Sequence, residues 1–69
     1  MATTVAKFIE VSSSSDKSFE DAIAAGLKKV GSSVKNIRGA WINEQNVRCN
    51  PDGSVSEWRV NMRVSFVVE

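Results

Sequence analysis

The spacing of apolar residues along the chain changes twice, and these changes separate four predicted elements. Residues 4–12 alternate apolar and polar side chains, which predicts a strand with Phe8 facing away from the other apolar residues. Ser12 to Ser15 then interrupt the pattern and predict a loop. Residues 18–34 follow a helical period, and from residue 36 onward the period returns to two. The predicted order is therefore strand, helix, strand, strand.

The predicted helix begins at Ser18, a residue type that caps helix N-termini through its hydroxyl. Asp21, three residues later, is placed to reach back as a weak capping box. A single apolar stripe follows at spacings of three and four residues, formed by Phe19, Ile23, Leu27, Val30 and Val34. Gly26 interrupts this helix at some cost in helix propensity, which we attribute to close packing of the helix on a sheet.

The C-terminal half predicts a long hairpin, with strands at about 37–49 and 54–68. Asn50-Pro51-Asp52-Gly53 lies between them and has the residue preferences of a type I turn. The last strand places one apolar set on every second position, consisting of Trp58, Val60, Met62, Val64, Phe66 and Val68. We predict an α+β fold in β-α-β-β order, in which a three-stranded antiparallel sheet wraps on one helix as a single domain, residues 1–69.

The chain is too small to bury a large core, so we expect it to self-associate. A domain of 69 residues buries only about 60% of its unfolded surface and usually needs a disulfide, a metal or a partner subunit. Cys49 is the only cysteine, and there is no histidine to bind a transition metal. A strand of about 15 residues also leaves a long edge that needs covering. A closed homo-oligomer is the expected solution.

Composition argues against several other classes of protein. Nine basic and eight acidic residues give a net charge of +1, which is not the basic footprint of a nucleic-acid-binding domain. No apolar run approaches the length of a membrane span, and a single free cysteine fits a reducing compartment, so we expect a cytoplasmic protein. Without histidine no general base is evident for Cys49 or for a serine, and we expect no enzyme and no metal centre.

Trp41 is the candidate binding residue, because strict alternation places it on the polar face together with Gly39, Asn43 and Gln45. An indole on a polar face suits either a subunit contact or stacking on a flat ligand, and the sequence leaves both open. Arg59 lies on the neighbouring strand of the hairpin, where we expect it near Trp41, and is a planar donor for phosphate, carboxylate or a carbonyl edge. A solvated or subunit-bridging arginine is the alternative.

Several short sequence segments, taken in order along the chain, resemble the dodecin family over nearly its full length. They are Lys7-Phe8-Ile9-Glu10-Val11, Ser18-Phe19-Glu20-Asp21-Ala22, Asn36-Ile37-Arg38, Asp52-Gly53 and the closing stretch from Trp58 to Phe66. The resemblance implies a hollow homo-dodecamer built from trimers, which binds pairs of flavins between symmetry-related tryptophans and stores or sequesters them without catalysis. It also implies site positions: Gly39 stands where the family has its stacking tryptophan, Arg59 matches the family's glutamine, and Glu44 matches its acidic residue, followed by Gln45.

Two functions follow from the resemblance and the residues together. The first is sequestration of a flavin of the riboflavin or FMN type, with Trp41 substituting for the missing indole at Gly39 and with Arg59, Glu44 and Gln45 as further ligand contacts. Glu44 lies on the opposite face by strict alternation and needs a β-bulge or a strong twist of the strand to join Trp41. The second is a structural shell of the same fold that has lost flavin binding, with calcium, coenzyme A or another small ligand as the alternative ligand.

Overall fold

The computed structural model describes residues 3–68, so residues 1–2 and 69 of the predicted domain lie outside the described part. It contains strand β1 (Val5–Ser15), helix α1 (Phe19–Gly31), strand β2 (Ile37–Cys49) and strand β3 (Val55–Val68). The strands form one antiparallel sheet in the order β1-β3-β2. The predicted β-α-β-β fold with a three-stranded sheet and one helix is confirmed. Within the described residues, α1 falls short of the length and apolar character that a membrane crossing requires.

The predicted loop at Ser12 to Ser15 is wrong, because β1 continues through these serines. Ser13 pairs with Val60 and Ser15 pairs with Trp58, which extends the ladder to the end of the run. Both hydroxyls satisfy their hydrogen bonds on the helix: that of Ser13 donates to the Ala22 carbonyl at 2.7 Å and that of Ser15 to the Asp21 carboxylate at 2.6 Å. Serines therefore occupy the part of the strand that the helix approaches.

Helix α1 begins at the predicted cap and ends earlier than the predicted stripe. The Ser18 hydroxyl accepts a hydrogen bond from the Asp21 N–H at 2.9 Å. The Asp21 carboxylate accepts a hydrogen bond from the Ser15 hydroxyl of β1, so it does not reach back to form the predicted capping box. The helix ends at Gly31, and Val34 lies beyond it in a turn. The Val34 N–H donates a hydrogen bond to the Val30 carbonyl and closes this turn.

The helix meets the sheet along small residues. On β3, Val60, Met62 and Val64 are at most 1% exposed, which confirms that the centre of the predicted apolar set lies in the core. The ends of that set do not: Trp58 and Phe66 are half-buried, and Val68 is exposed. On the helix, Ala22 and Gly26 are buried, whereas Phe19, Ile23, Leu27 and Val30 are only half-buried beside them. A Cβ at Gly26 would lie 2.8 Å from the Met62 Cε and from the Ser13 Cβ. Gly26 therefore permits the close approach that the sequence predicts.

The hairpin between β2 and β3 closes through the predicted turn. The Gly53 N–H donates to the Asn50 carbonyl at 2.9 Å, and Gly53 has a φ of 90°, a conformation that favours glycine. The Ser54 hydroxyl and N–H both donate to the Asp52 carboxylate. These hydrogen bonds hold the pKa of Asp52 below its ordinary value, so the carboxylate stays ionised in the turn.

One helix leaves much of the sheet uncovered. The helix packs on β1 and β3, and every residue of β2 from Trp41 to Cys49 is exposed. The chain measures 58 × 20 × 14 Å, and its radius of gyration of 14.5 Å exceeds the about 11 Å of a compact domain of this length. The hairpin thus projects beyond the helix with apolar side chains exposed.

Candidate functional site

Trp41 lies on the side of the sheet that faces away from α1, called the outer face here. It pairs with Arg63 of β3, whose chain neighbours Met62 and Val64 point into the core, so Arg63 and Trp41 both face outward. The indole is 56% exposed. Its position on a face that the helix does not cover makes it the first candidate for contact with a ligand or another subunit.

Phe8 is the nearest aromatic neighbour of Trp41, although it lies on the opposite edge strand. Phe8 pairs with Ser65, and Ser65 in turn pairs with Gly39, so three residues cross the sheet in one row on the outer face. Because Ser65 and Gly39 are small, the two rings meet above β3, with centroids 5.4 Å apart and planes tilted by 57°. This is an ordinary geometry for an aromatic pair.

Arg63 completes this group, which we call the aromatic cluster (Phe8, Trp41 and Arg63). Its guanidinium carbon lies 4.8 Å from the centroid of the Phe8 ring, within the range of a cation–π contact. Both rings remain accessible, since Phe8 is 46% exposed and Trp41 more so. The cluster therefore presents aromatic surface and a positive charge side by side.

A β-bulge decides which side Glu44 and Gln45 face. The pairing of β2 with β3 shifts between Ile42 and Glu44, so Asn43 opposes no residue. Glu44 consequently pairs with Asn61 on the outer face, and the Asn61 amide donates to its carboxylate at 3.5 Å. The bulge on which the interpretation of Glu44 depended is present.

The same bulge reverses the expectation for Gln45. Strict alternation predicts that Gln45 shares a face with Trp41, but Gln45 pairs with the buried Val60 and so faces the helix side of the sheet. The prediction that these two residues share a face is wrong, because one extra residue in β2 inverts the alternation after Ile42. Within one subunit Gln45 and Trp41 are on opposite sides of the sheet.

Arg59 shares the outer face but is not the neighbour of Trp41. It pairs with Asn46, and its guanidinium forms an ion pair with Glu57 at 3.3 Å. Arg59 and Arg63 are four positions apart along β3, a distance of about 13 Å in an extended strand. The expected proximity of Arg59 to Trp41 is therefore wrong within one subunit, and Arg63 takes that place.

The sequence gives only a weak signal for Arg63. In a hairpin the residue numbers of paired positions keep a nearly constant sum, which the turn fixes. Trp41 and Arg63 have the same sum as Cys49 and Val55 beside the turn, but only because two register shifts between these pairs cancel. Phe8 gives a similarly weak signal, that of an aromatic residue on the polar side of β1, because nothing local in the sequence reveals that β1 pairs with β3.

No metal centre is formed within residues 3–68, where no three histidine, cysteine, aspartate or glutamate side chains come together as potential ligands. Cys49, exposed at the end of β2, is a free thiol. Glu44 and Asn61 offer two oxygen-bearing side chains, fewer than the six to eight oxygens that calcium takes. Any calcium site that uses Glu44 needs ligands from elsewhere.

Comparisons with known proteins identify the family. A dodecin family model matches residues 5–69. The chain is similar to the dodecin of Streptomyces davaonensis (TM-score 0.91, 20% identity, covering 99% of this chain and 98% of that one). It is also similar to an arginine-to-alanine variant of the Thermus thermophilus dodecin (TM-score 0.90, 25% identity, 97% and 98% covered).

A third similar structure is the calcium dodecin of Mycobacterium tuberculosis, described as a calcium-chelating antigen with a novel calcium-binding site. It has a TM-score of 0.80 and 31% identity, with 94% of this chain and 91% of that one covered. No curated protein is matched significantly. The family match spans the whole sheet and the helix that packs on it, and the chain therefore belongs to the dodecin family.

Proposed function

We propose that this protein is a homo-oligomeric binding protein that holds a flavin, riboflavin or FMN, by stacking on Trp41 and does not catalyse a reaction. The observation that carries the proposal is the exposed indole on the outer face, next to a second exposed ring. Aromatic faces of this kind suit a flat heterocycle, and stacking on one is worth about 1–3 kcal/mol. Membership of the dodecin family supports the same ligand class.

Self-association is part of the proposal, because one chain leaves apolar surface that a partner has to cover. Ile42, Val47 and Val55 are 37–40% exposed on the projecting hairpin. Dodecin relatives of known structure align with nearly the whole chain, which supports the dodecamer built from trimers that the resemblance implies. We propose that copies of this chain bury the hairpin and bring outer faces together around the ligand.

Polar contacts to the flavin come from residues further along the outer face. Glu44 lies one row beyond Trp41, and Arg59 lies two rows beyond it, so each reaches a ligand that extends along the strands. Gln45 faces the other side of the sheet and contributes only to a ligand held between subunits. Gly39 contributes no side chain to the row that it shares with Ser65 and Phe8, so the Trp41 indole is the stacking group that β2 supplies.

A binding role, not a catalytic one, fits the chemistry available. The sequence has no histidine, and an activated serine or cysteine nucleophile needs a base beside it. The free thiol of Cys49 suits a reducing compartment, and we propose that the protein is cytoplasmic.

Replacing Trp41 tests the proposed site directly. We expect Trp41→Ala to weaken riboflavin and FMN binding by at least about fivefold, because it removes a stacking contact of about 1–3 kcal/mol. Titration with quenching of flavin fluorescence as the readout measures the change. Trp58→Phe is the matched control, because Trp58 lies on the helix side of the sheet, opposite Ser15 and Val47.

The control and the state of assembly separate the possible outcomes. Unchanged binding in an assembled Trp41→Ala variant removes Trp41 from the site. Loss of the oligomer, measured by light scattering, instead makes Trp41 a subunit contact and favours a structural shell.

Calcium is the second candidate ligand, since the calcium dodecin is 31% identical and Glu44 faces outward. Calorimetry with calcium and with flavin, each alone, distinguishes the two.

A further inference from the structure

We propose that Arg63 makes the site selective for a phosphorylated, anionic flavin over a neutral one. This inference rests on the proposed function and deepens it by naming the group that the site recognises besides the flat ring. Arg63 is the residue directly opposite Trp41 in the sheet. A ligand that stacks on this indole therefore has a guanidinium as its immediate neighbour on β3.

The position of the Arg63 side chain is restrained by Phe8. Its guanidinium carbon lies 4.8 Å from the Phe8 ring centroid, and the ring itself contacts Trp41. A guanidinium that rests on an aromatic face keeps its N–H donors in the plane of the group, at its edge, where they bind a phosphate with two parallel hydrogen bonds. The aromatic cluster thus holds the arginine ready for an anion.

The charges around Arg63 distinguish it from the other arginine considered for the site. Arg59 is engaged in an ion pair with Glu57. Within residues 3–68 the structure shows no carboxylate at ion-pair distance from Arg63. Glu10 is opposite Arg63 on β1, and Glu44 lies in the next row. Both carboxylates make the electrostatic potential around Arg63 less positive, but neither forms an ion pair with its guanidinium. The donors of Arg63 therefore remain available for an anionic ligand.

The size of the expected preference follows from the exposure of the site. Ion pairs at an exposed surface contribute up to about 1 kcal/mol, which is about a fivefold difference in affinity. We expect FMN to bind about fivefold more tightly than riboflavin at low ionic strength. Because salt screens exposed charges, the preference decreases as salt is added. Riboflavin, which has no phosphate, shows little dependence on salt.

The experiment compares FMN and riboflavin titrations of the intact oligomer for the parent protein, Arg63→Gln and Arg48→Gln. Arg48 is the matched control, because it also lies on the outer face but opposite Glu57, about 20 Å from the Arg63 row. We expect Arg63→Gln to abolish the preference for FMN, so that the ratio of the riboflavin and FMN dissociation constants falls to about one. Arg48→Gln should retain the preference.

Three outcomes overturn the inference, and they differ from failure of the proposed function. Equal affinities for FMN and riboflavin in the parent protein, an unchanged preference in Arg63→Gln, or an equal loss in Arg48→Gln each removes Arg63 as the selective residue, although flavin still binds. If neither flavin binds the parent protein, the proposed function itself fails. If Arg63→Gln does not assemble, Glu10→Gln decides: removing the opposing charge should increase the preference for FMN, and no increase contradicts the inference.

Discussion

At the scale of single residues, Gly39 and Trp41 define what is unusual about the outer face. The resemblance to dodecins places the family's stacking tryptophan at Gly39, and the indole present here is two residues further along β2. Two residues of an extended strand span about 6.5–7 Å, so a ligand on Trp41 is displaced by that length. The pairing of Gly39 with Ser65 and of Trp41 with Arg63 puts both positions on the outer face.

A tryptophan at Gly39 should strengthen flavin binding. A Cβ at Gly39 meets nothing closer than the Ser65 hydroxyl oxygen at 3.9 Å, so a Cβ fits there, and an indole beyond it has to share the space above Ser65 with the Phe8 and Trp41 rings. We expect Gly39→Trp to tighten riboflavin binding by at least about fivefold, because it adds an aromatic contact of about 1–3 kcal/mol. Fluorescence titration measures the change. Gly39→Ala is the control, and an assembled Gly39→Trp protein that binds riboflavin no better contradicts the inference that an indole at position 39 can stack on the flavin.

At the scale of elements, the contact between helix and sheet depends on small side chains. The serines of β1 and Gly26 of α1 allow the backbones to approach, while the large apolar stripe of the helix flanks this contact. The arrangement explains why a residue that is unfavourable within a helix occupies its middle.

Gly26→Ala should destabilise the protein although alanine favours helix. The added Cβ would lie 2.8 Å from the Ser13 Cβ, which cannot move without shifting β1. Overpacking costs about 1–3 kcal/mol, and the gain in helix propensity offsets at most about 1 kcal/mol of it. We therefore expect a lower melting temperature. Gly31→Ala is the matched control, because a Cβ there lies at an ordinary 3.7 Å from the Ile37 side chain; equal melting temperatures for the two variants would show that Gly26 has no packing role.

The sequence predicts the elements well because each has a local cause. Ser18 caps the helix, the turn from Asn50 to Gly53 closes the hairpin, and the period of two marks β3. It does not predict that the serines continue β1, since the residues with which they pair, such as Val60 for Ser13, lie on β3 at the far end of the chain. It also cannot locate the bulge at Asn43, which depends on pairing with β3. The predictions of which face Gln45 occupies and of which residue neighbours Trp41 were wrong because the sequence does not reveal the register of β2 on β3.

At the scale of the whole molecule, the isolated chain is extended and leaves apolar surface uncovered. It is 58 Å long, and its hairpin extends past the helix with exposed valines and an exposed isoleucine. A core of this size does not readily stabilise so extended a form without association. The proposed oligomer covers the hairpin and also brings together aromatic clusters from different subunits, so assembly and ligand binding depend on each other.

The most direct test of this account measures mass and bound flavin on the same particles. Size-exclusion chromatography with light scattering, run after addition of FMN and with detection of flavin absorbance, gives both quantities. We expect a single species of about 90 kDa, twelve subunits of 7.5 kDa, that carries flavin. A stable 7.5 kDa monomer, or a large assembly from which all FMN separates at saturating concentration, would contradict the account.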